Sequence, residues 1–544
     1  MYDLREHIKT LDARGYLIRV TRQINKDTEL MPLVRWQFLG LPEEKRKAFL
    51  FENIVDVRGR KYDMPVAVCA LAASRQVYAI GLGCEPNQIM ERWLRAQSQK
   101  IPAVMVETGP VHEEVFTGKE LERRGLDDLP LPISTPGFDN APYTTLSHWV
   151  TRDPETGVRN VGNYRGQLKA PNRVGMYMNP HQHGMEHFNK WRKLGKPMPA
   201  AIIMGGPPSV AFTSVAKIPY GTDEYDVAGG LIGAPIELVR CKTVDLEVPA
   251  WAEIVVEGFV PTDQLEMEGS FGEFPGFMGM RSFAPFLEVT AVTRRKGAIC
   301  PAFISQFCPS ESSRIKSIAN ESVCFNHLRY NCNIPSVKKV AYHERGGSGR
   351  QLCVIQMEKT NPAHPMQALY ATTTLDASSL GKIIIAVDED IDPYDIDAVM
   401  WALCWRVQPH RDVKIVTHKS SQLDYSAIPP WIRESECQAF PQPDGCSVML
   451  IDATLPWPYT PVSLPAKEYM ESSRKIWEEL GLGELNVKGP WHGYELGFWS
   501  DEERQEADLA IRGEYYRTGE KQAKNRISPS ELTKSVGYGG KKFE

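Results

Sequence analysis

Residues 381–405, GKIIIAVDEDIDPYDIDAVMWALCW, run from a wholly apolar stretch through an acidic turn into a helical pattern. A strand that is apolar on both faces is typical of a parallel sheet covered by helices on both sides. The turn is rich in carboxylates but lacks the glycine and the terminal glutamate of a calcium loop, so we interpret it as a capped turn. This stretch therefore predicts an α/β fold for the C-terminal half of the chain.

The segments outside this stretch predict further domains. The first hundred residues alternate between helical and extended patterns, as in YDLREHIKTLDARG (2–15) followed by YLIRV (16–20). Strand-like runs such as AIIMGG (201–206) and FLEVTAVTRR (286–295) then dominate and predict a twisted sheet or split barrel. We divide the chain into an N-terminal α/β domain (1–120), a central β-rich domain (121–325), a C-terminal α/β domain (326–465) and a helical tail (466–544).

Composition limits the class of protein. The 544 residues carry a net charge of −5, which gives no indication of a nucleic-acid or membrane partner. No apolar run approaches the length of a membrane span, and the charged opening MYDLREHIKT does not resemble a secretory leader. The eleven cysteines contain no C-x-x-C pair, which favours reduced thiols in a cytoplasmic protein.

One loop combines residue types that rarely occur together. LEMEGSFGEFPGFMGM (265–280) places three glutamates among glycines, phenylalanines and methionines. Glycines allow the backbone to turn or to approach another group closely, whereas acidic residues usually face water. The stretch is either an irregular surface loop or a loop that holds acids against an organic ligand. Arg165, in NVGNYRGQLK, could fork onto one of these glutamates, although the spacing alone does not say that it meets Glu268.

Two further segments carry groups that could bind a metal ion. NPHQHGMEHFNKW (179–191) contains His181, His183 and His187, which are either metal ligands or ordinary surface histidines. GTDEYDVAGG (221–230) places Asp223 and Glu224 before a run of small residues, where acids also interact favourably with a helix N-terminus. Taken alone, these motifs leave both interpretations open.

Taken together, the motifs resemble the UbiD-like decarboxylases, which use prenylated flavin mononucleotide on aromatic and unsaturated carboxylic acids. EGSFGEFPGF is similar to the signature loop of that family, and the catalytic Arg-Glu-Glu trio of the family matches Arg165, Glu268 and Glu273. NVGNYR, HQHG and GTDEYDVAGGLIG match three further family segments in the same order. The stretch at 381–403, followed by WRVQP, fits the C-terminal domain of the family.

The resemblance implies a fold and a set of ligands. It implies a central split β-barrel that holds the cofactor and a C-terminal α/β domain that serves oligomerisation. A divalent ion (manganese, magnesium or iron) would be bound by Asn160, His183 and Glu224, and a potassium ion would lie near Thr213, Ser214, Ala216, Glu224 and Arg406. The residues expected to contact the cofactor are Asn160, Asn163, Tyr164, Arg165, Gln182, His183, Ser214, Ala216, Glu224 and Lys382, the last of these neutralising the phosphate. Val161 departs from the family, some members of which carry tryptophan there.

The resemblance also implies a reaction. The substrate, an aromatic or α,β-unsaturated acid or its coenzyme A thioester, would add covalently to the cofactor and lose carbon dioxide reversibly, with Glu273 supplying the replacing proton. Glu268 would pair with Arg165, whereas Glu273 would face the substrate in a dry setting built by the phenylalanines and methionines of the loop. The C-terminal PWHGYELGFW (490–499) favours an aromatic substrate.

The resemblance also implies an enzyme that supplies the cofactor and an oligomeric state, and two other functions stay open. The chain would depend on a flavin prenyltransferase for its cofactor and would form a homodimer or a dimer-based hexamer. Trp477, Trp491 and Trp499 of the tail would be buried against a partner subunit. The alternatives are a metal-dependent hydrolase that uses the His181/His183/His187 cluster and a non-catalytic scaffold of the same fold.

Overall fold

The structure, a computed structural model, describes residues 3–180, 182–346, 351–375, 381–419, 424, 426–427, 446–485 and 497–529. His181, Trp491 and residues 490–496 of PWHGYELGFW lie outside the described residues. The chain divides into two compact units, one of residues 1–389 and 393–454 and the other of residues 390–392 and 455–544. The predicted boundaries at 120/121, 325/326 and 465/466 stay predictions.

The N-terminal part of the larger unit alternates helices with short strands. It contains α1 (Leu4–Ala13), β1 (Leu17–Val20), β2 (Ile24–Asn25), α2 (Leu30–Gly40), β3 (Ala48–Phe51), β4 (Ile54–Val55), β5 (Lys61–Tyr62), β6 (Val66–Val68), α3 (Arg75–Leu82) and α4 (Ile89–Ser98). The Asp3 side chain caps α1 by accepting the N–H of Glu6, and Gly15 follows the helix with a φ of 76°, which favours glycine. The predicted helix and strand at residues 2–20 are therefore confirmed.

The middle of the chain is built around antiparallel strands. Its elements are β7 (Val104–Met105), β8 (Glu114–Thr117), α5 (Leu121–Arg124), β9 (Tyr143–Thr144), β10 (His148–Arg152), β11 (Arg159–Asn163), β12 (Gly166–Ala170), β13 (Arg173–Gly175), α6 (His183–Lys193), β14 (Met198–Met204), α7 (Pro208–Val215), α8 (Glu224–Ile232), β15 (Glu237–Arg240), β16 (Glu247–Pro249), β17 (Ile254–Val260), β18 (Glu266–Glu268), β19 (Phe271–Gly272), β20 (Met278–Gly279), β21 (Ser282–Ala284), β22 (Phe286–Arg294) and β23 (Cys300–Ala302). Within the described residues, nine of these strands form one sheet in the order β11-β10-β14-β17-β22-β13-β12-β9, with β8 also paired to β22.

This large sheet curls into a half-barrel, in agreement with the predicted twisted sheet. Its central strands β14 and β17 pair antiparallel in register from Met198–Val260 to Met204–Ile254. Their side chains are almost all buried, because helices cover the sheet and its apolar residues form two cores on opposite faces. The sheet therefore supplies a rigid support for the loops at its edge.

The C-terminal part of the larger unit is an α/β layer. It contains α9 (Glu311–Asn326), β24 (Val337–Tyr342), β25 (Leu352–Met357), α10 (His364–Thr372), β26 (Ile383–Asp388), α11 (Ile396–Arg406), α12 (Pro409–Asp412), β27 (Val413–Lys419) and β28 (Cys446–Asp452). The strand order is β24-β25-β26-β28-β27, and β26 runs parallel to both of its neighbours. The parallel strand predicted from residues 381–405 is confirmed, although the two edge strands are antiparallel.

The smaller unit is helical, with α13 (Lys467–Glu479), α14 (Asp501–Ile511) and α15 (Tyr515–Lys524). None of these three helices has a buried residue within its own unit. Among the described residues of the whole chain, no helix is both long and apolar enough to cross a bilayer. None of the ten described cysteines forms a disulfide.

Candidate active site

Arg165 lies in the sharp connection between β11 and β12, at the edge of the half-barrel. Its Nε and Nη2 donate to the two carboxylate oxygens of Glu268 at 3.1 and 2.9 Å, and its Nη1 donates to Glu273. The Glu268 side chain is 2% exposed, and those of Arg165 and Glu273 are 10% and 12% exposed. One buried guanidinium therefore bridges two carboxylates that come from the same loop.

Two aromatic rings pack against the guanidinium group of Arg165. The Arg165 Cζ atom lies 3.8 Å from the centre of the Tyr177 ring and 5.1 Å from that of Phe271. The Phe271 ring in turn packs against Tyr143 with centroids 4.6 Å apart. Burial opposes the charge on Arg165, but the Glu268 carboxylate outweighs it, so the pKa of Arg165 is raised above its usual value.

Glu268 and Glu273 are held in place through the backbone of their loop. The N–H of Gly269 donates to Gln167 Oε1 at 2.9 Å, and the Tyr143 hydroxyl donates to the carbonyl oxygen of Gly269 at 3.2 Å. A Cβ atom on Gly269 would lie 2.1 Å from Oδ1 of Asn140, so any larger residue here would have to displace the Asn140 side chain. The glycines of the loop thus permit the close packing that positions the glutamates.

A turn at residues 134–140 closes over the other side of the loop. Thr135 donates its N–H to Asp139 Oδ2 at 2.7 Å, and a Cβ atom on Gly272 would lie 2.6 Å from Thr135 Oγ1. Burial raises the pKa of Asp139 to about 6, although Thr135 and Gly272 N–H groups and the charge of Arg165 act in the opposite direction. The sequence of this segment carries no local signal of its place at the site, because the contacts with Gly269 and Gly272 join residues far apart in the chain.

The loop differs from its predicted form in one respect, since Glu273 contacts Arg165, whereas only Glu268 was expected to pair with the guanidinium. Phe271 is buried, and Phe277 and Met280 are 61% and 55% exposed. The dry wall that the phenylalanines and methionines were expected to build against cofactor and substrate stays a prediction. Aromatic residues in a glycine-rich loop do not reveal which side each ring faces, because such a backbone has no regular period.

A second cluster surrounds Glu224, the first residue of α8. Glu224 Oε2 accepts the N–H of Val161 at 2.8 Å, which places Asn160 beside it. The Asn160 side chain and the N–H of Gly184 both donate to the Tyr164 hydroxyl at 3.2 Å. Since Gly184 directly follows His183, this hydroxyl links the start of α6 to the strand that carries Asn160.

The electrostatics of this cluster differ from those of the first. Burial raises the pKa of Glu224 to about 8, and no arginine or lysine of the described chain pairs with its carboxylate. An amide oxygen, an imidazole and a carboxylate are suitable donors for manganese, magnesium or iron(II). The donor chemistry and the uncompensated buried acid therefore fit a divalent cation.

Most of the other residues predicted to bind the ions or the cofactor lie at the end of α7 and near the ends of β11 and α6. Thr213 and Ser214 lie in the last turn of α7, which packs against β11 and α8, and the hydroxyl of Ser214 contacts His148 Nδ1 at 2.7 Å. Ala216 directly follows the helix. The remaining near-site residues make local contacts: Asn163 with Ser147 and Thr145, and Gln182 with Asn179.

Lys382 and Arg406 belong to the five-stranded α/β layer, Lys382 directly before β26 and Arg406 at the end of α11. The Lys382 ammonium group pairs with Asp424 at 2.6 Å, and Arg406 Nη1 pairs with Asp388 at 3.1 Å. Their predicted roles toward the phosphate and the potassium ion stay predictions.

The histidine cluster does not assemble as a metal site in the described residues. His187 is buried with Nδ1 against Thr151 Oγ1 at 2.9 Å, and burial lowers its pKa to about 4. The rings of His183 and His187 both pack edge-on against Tyr220. Among the described residues, no three or more His, Cys, Asp or Glu side chains are grouped so that they could hold a metal ion. Within the proposed Asn160-His183-Glu224 set, only His183 and Glu224 belong to these four residue types.

Comparison with known families covers most of the chain. Residues 8–97, 103–306 and 315–453 match the N-terminal, Rift-related and C-terminal domains of the 3-octaprenyl-4-hydroxybenzoate carboxy-lyase family, UbiD. An uncharacterised protein of Aquifex aeolicus is 31% identical over 511 residues, which span 88% of this chain and 99% of that protein.

Solved structures are similar over nearly the same length. The UbiD-class enzyme HmfF from Pelotomaculum thermopropionicum, solved in complex with FMN, is 31% identical with a TM-score of 0.74, covering 87% of this chain and 99% of that one. An evolved dimeric form of the same enzyme was solved in complex with prFMN; it has 31% identity and a TM-score of 0.72, covering 86% of this chain and 97% of that one. The vanillic acid decarboxylase of Sedimentibacter hydroxybenzoicus in its closed form is 27% identical with a TM-score of 0.75, covering 88% and 99% of the two chains.

Proposed function

The chain belongs to the UbiD family of carboxy-lyases, and on this premise we propose that it reversibly decarboxylates an aromatic or α,β-unsaturated acid, or its coenzyme A thioester, with prenylated FMN. The observation that carries the proposal is the bridging of Glu268 and Glu273 by the buried guanidinium of Arg165. The complexes of the similar HmfF enzyme with FMN and prFMN support the cofactor assignment. When bound, the modified flavin supplies the electron sink that carbanion chemistry requires.

Arg165 has the geometry to bind the carboxylate that leaves. Glu268 occupies two of its N–H groups, and Glu273 occupies Nη1, the group through which a substrate carboxylate could enter. An ionised Glu273 at this group would repel an incoming carboxylate substrate. The substrate therefore binds best when Glu273 is protonated, which is also the state that can deliver a proton.

Glu273 then acts as the proton donor, and Glu268 keeps Arg165 in place. Decarboxylation requires a proton at the carbon that has lost carbon dioxide, and the Glu273 side chain, at 12% exposed, is the more accessible of the two glutamates. Once Glu273 has given up its proton, the Arg165 guanidinium stabilises the resulting carboxylate. The N–H of Glu273 donates to the carbonyl oxygen of Phe277 at 3.0 Å, so the exposed Phe277 belongs to the same turn and offers apolar surface to an aromatic ring.

Asn160, His183 and Glu224 would hold a divalent ion (manganese, magnesium or iron) against the cofactor phosphate, with a potassium ion near Ser214. The buried Glu224 carboxylate, which has no cationic partner in the described chain, supports this assignment. Production of the active enzyme would depend on a flavin prenyltransferase.

We also propose a homo-oligomer, a dimer or a dimer-based hexamer. The helices of the smaller unit expose Ile476, Trp477 and Leu480, apolar residues that a partner subunit could cover. A monomer by light scattering at micromolar concentration would contradict this part of the proposal.

Two measurements on one preparation test the function. The full chain is produced with and without a flavin prenyltransferase, and the purified protein is examined by absorbance and for bound metal. We expect a flavin-like band in the first preparation and carbon dioxide release from members of a panel of aromatic acids and coenzyme A thioesters. Bound zinc without flavin would support the hydrolase instead, and a protein with neither group would support the scaffold.

A further inference from the structure

The turn at residues 134–140 contacts the glycine-rich loop beside each of its two site glutamates, Glu268 and Glu273. The glycine that follows Glu268 leaves room for the side chain of Asn140, to which an added Cβ atom would approach within 2.1 Å. The glycine that precedes Glu273 leaves room in the same way for Thr135 Oγ1, which an added Cβ atom would approach to 2.6 Å. A displacement of the turn would therefore shift the backbone next to both carboxyl groups.

Asp139 closes this turn onto Thr135. Its Oδ2 accepts the N–H of Thr135 at 2.7 Å, and its own N–H donates to the carbonyl oxygen of Thr135 at 3.0 Å. Gln306 holds the turn from outside, because its side-chain amide donates to the carbonyl oxygen of Ser134 and to Thr135 Oγ1. The residue that packs beside Glu273 is thus fixed by the carboxyl group of Asp139.

The carboxyl group of Asp139 acts as a hydrogen-bond acceptor and not as the partner of a cation. It forms no ion pair in the described chain, and burial raises its pKa to about 6, although backbone N–H groups and the charge of Arg165 act in the opposite direction. The amide oxygen of asparagine can accept the same N–H group, whereas alanine has no acceptor. Replacement by asparagine should therefore preserve the closed turn, and replacement by alanine should open it.

Glu273 depends on its backbone more than Glu268 does. Glu268 receives two N–H groups of Arg165 and is almost fully buried, whereas Glu273 receives one and is more exposed. A glycine-rich backbone has much conformational freedom to lose, so a side chain on it stays in one position only where other contacts restrain the loop. The contact with the turn supplies this restraint directly before Glu273.

We propose that Asp139 is a positioning residue, which fixes the turn at 134–140 against the glycine-rich loop and thereby holds Glu273 on Arg165. The kinetic consequence rests on the proposed function, in which Glu273 donates the proton, whereas the restraint of the loop does not. Displacement of a reacting group by about 1 Å can cost about 10²-fold in rate. Loss of the Asp139 side chain should therefore slow the reaction without removing any group that would bind flavin or metal.

Steady-state kinetics of the holoenzyme test the positioning role. We expect Asp139→Ala to lower kcat by about tenfold to 10²-fold without raising KM, because Arg165 stays in place to bind the substrate carboxylate. Asp139→Asn should recover kcat to within about threefold of the wild type. Asp56→Ala is the matched control and should leave kcat unchanged, since Asp56 closes another turn by accepting the N–H groups of Arg58 and Arg60 at 2.9 Å. An unchanged kcat in Asp139→Ala, or an equal loss in Asp139→Asn, would overturn the proposal.

Hydrogen exchange separates the restraint of the loop from the proposed function. Amide exchange of the full chain is followed by mass spectrometry for peptides that cover residues 269–279 and, as a test of folding, residues 254–260 of β17. We expect exchange at 269–279 to be about fivefold faster or more in Asp139→Ala and unchanged in Asp139→Asn and Asp56→Ala, with 254–260 protected in all of them.

This measurement does not require a substrate. If no acid in the panel releases carbon dioxide, the proposed function fails, and the exchange result alone decides whether Asp139 restrains the loop. Equal exchange at 269–279 in Asp139→Ala and the wild type would overturn the restraint. Exchange accelerated to the same degree at 254–260 would also overturn it, because the effect would then not be local to the loop.

Discussion

Glu268 and Glu224 are two buried carboxylates of one unit that are compensated in different ways. Their residues are 1% and 3% exposed. Glu268 receives a bidentate guanidinium, whereas Glu224 accepts the N–H of Val161 and has no cationic partner in the described chain. The carboxylate of Glu268 is thus balanced by a cation of the chain itself, whereas the carboxyl group of Glu224 has no such cation in the described chain and keeps its proton up to its pKa of about 8. The proposed catalytic trio is therefore assembled by folding, whereas the proposed metal site around Glu224 would be completed by binding.

The largest expected effect comes from breaking the internal balance. Arg165→Met leaves Glu268 buried without its partner, so we expect the free energy of unfolding to fall by about 3–5 kcal/mol. Arg173→Met is the control, because Arg173 is 45% exposed and pairs with the partly exposed Glu266, and it should cost about 1 kcal/mol or less. Denaturant titration of the apoprotein measures both values.

A double variant tests whether the lost stability comes from the unpaired Glu268 carboxylate. Arg165→Met combined with Glu268→Met replaces a buried ion pair by apolar side chains and should recover most of the lost stability. If Arg165→Met alone were as stable as the wild type, the trio would not be balanced by Arg165.

The second prediction concerns loading of the cofactor. His183→Ala removes an expected metal ligand, and we expect flavin occupancy after co-production to fall by about tenfold or more. His187→Ala should lower the melting temperature, because it empties a buried contact with Thr151, but it should keep normal flavin occupancy in the folded protein. His181→Ala should also load normally. Equal losses in all three variants would revive the clustered-histidine interpretation.

A smaller effect is expected from pH. The pKa of Glu224 is raised by burial to about 8, so in metal-free protein the folded state binds this proton more tightly than the unfolded state does. Stability is therefore lost as pH rises from the unfolded pKa through about 8, and Glu224→Gln should lack this loss. Between pH 5 and pH 8 we expect the melting temperature of the wild type to fall by a few degrees more than that of the variant. If the melting temperatures of the two proteins changed equally with pH, the charge of Glu224 would already be compensated in the folded protein.

The fold could be predicted where local patterns determine it. The apolar run at 383–388 predicted a strand inside a parallel arrangement, since side chains on both faces of β26 had to be buried. The contact of Arg165 with Glu268 spans 103 positions, so no local period could reveal it. It was reached through the family resemblance, which aligns segments in order without measuring distances.

Other parts of the site could not be predicted from the residues. The turn at 134–140 resembles an ordinary proline-rich connection, and its role depends on packing against Gly269 and Gly272 far along the chain. The stacking of Tyr177 on Arg165 depends likewise on the geometry of the sheet edge. The contact of Glu273 with Arg165 was missed because its phenylalanine neighbours suggested a wholly apolar setting.

The proposal that Glu273 donates the proton can be tested by following proton transfer itself. A carboxyl-labelled substrate found in the panel is incubated with the holoenzyme in deuterated water, and labelled carbon dioxide and deuterium at the vacated carbon are followed. Glu273→Gln should keep flavin and metal but reduce both signals by about 10²–10⁴-fold. Glu266→Gln, two residues before Glu268 and paired with Lys169, should behave as the wild type. Near-normal decarboxylation and deuterium incorporation in Glu273→Gln would show that the proton comes from another group and would contradict the account.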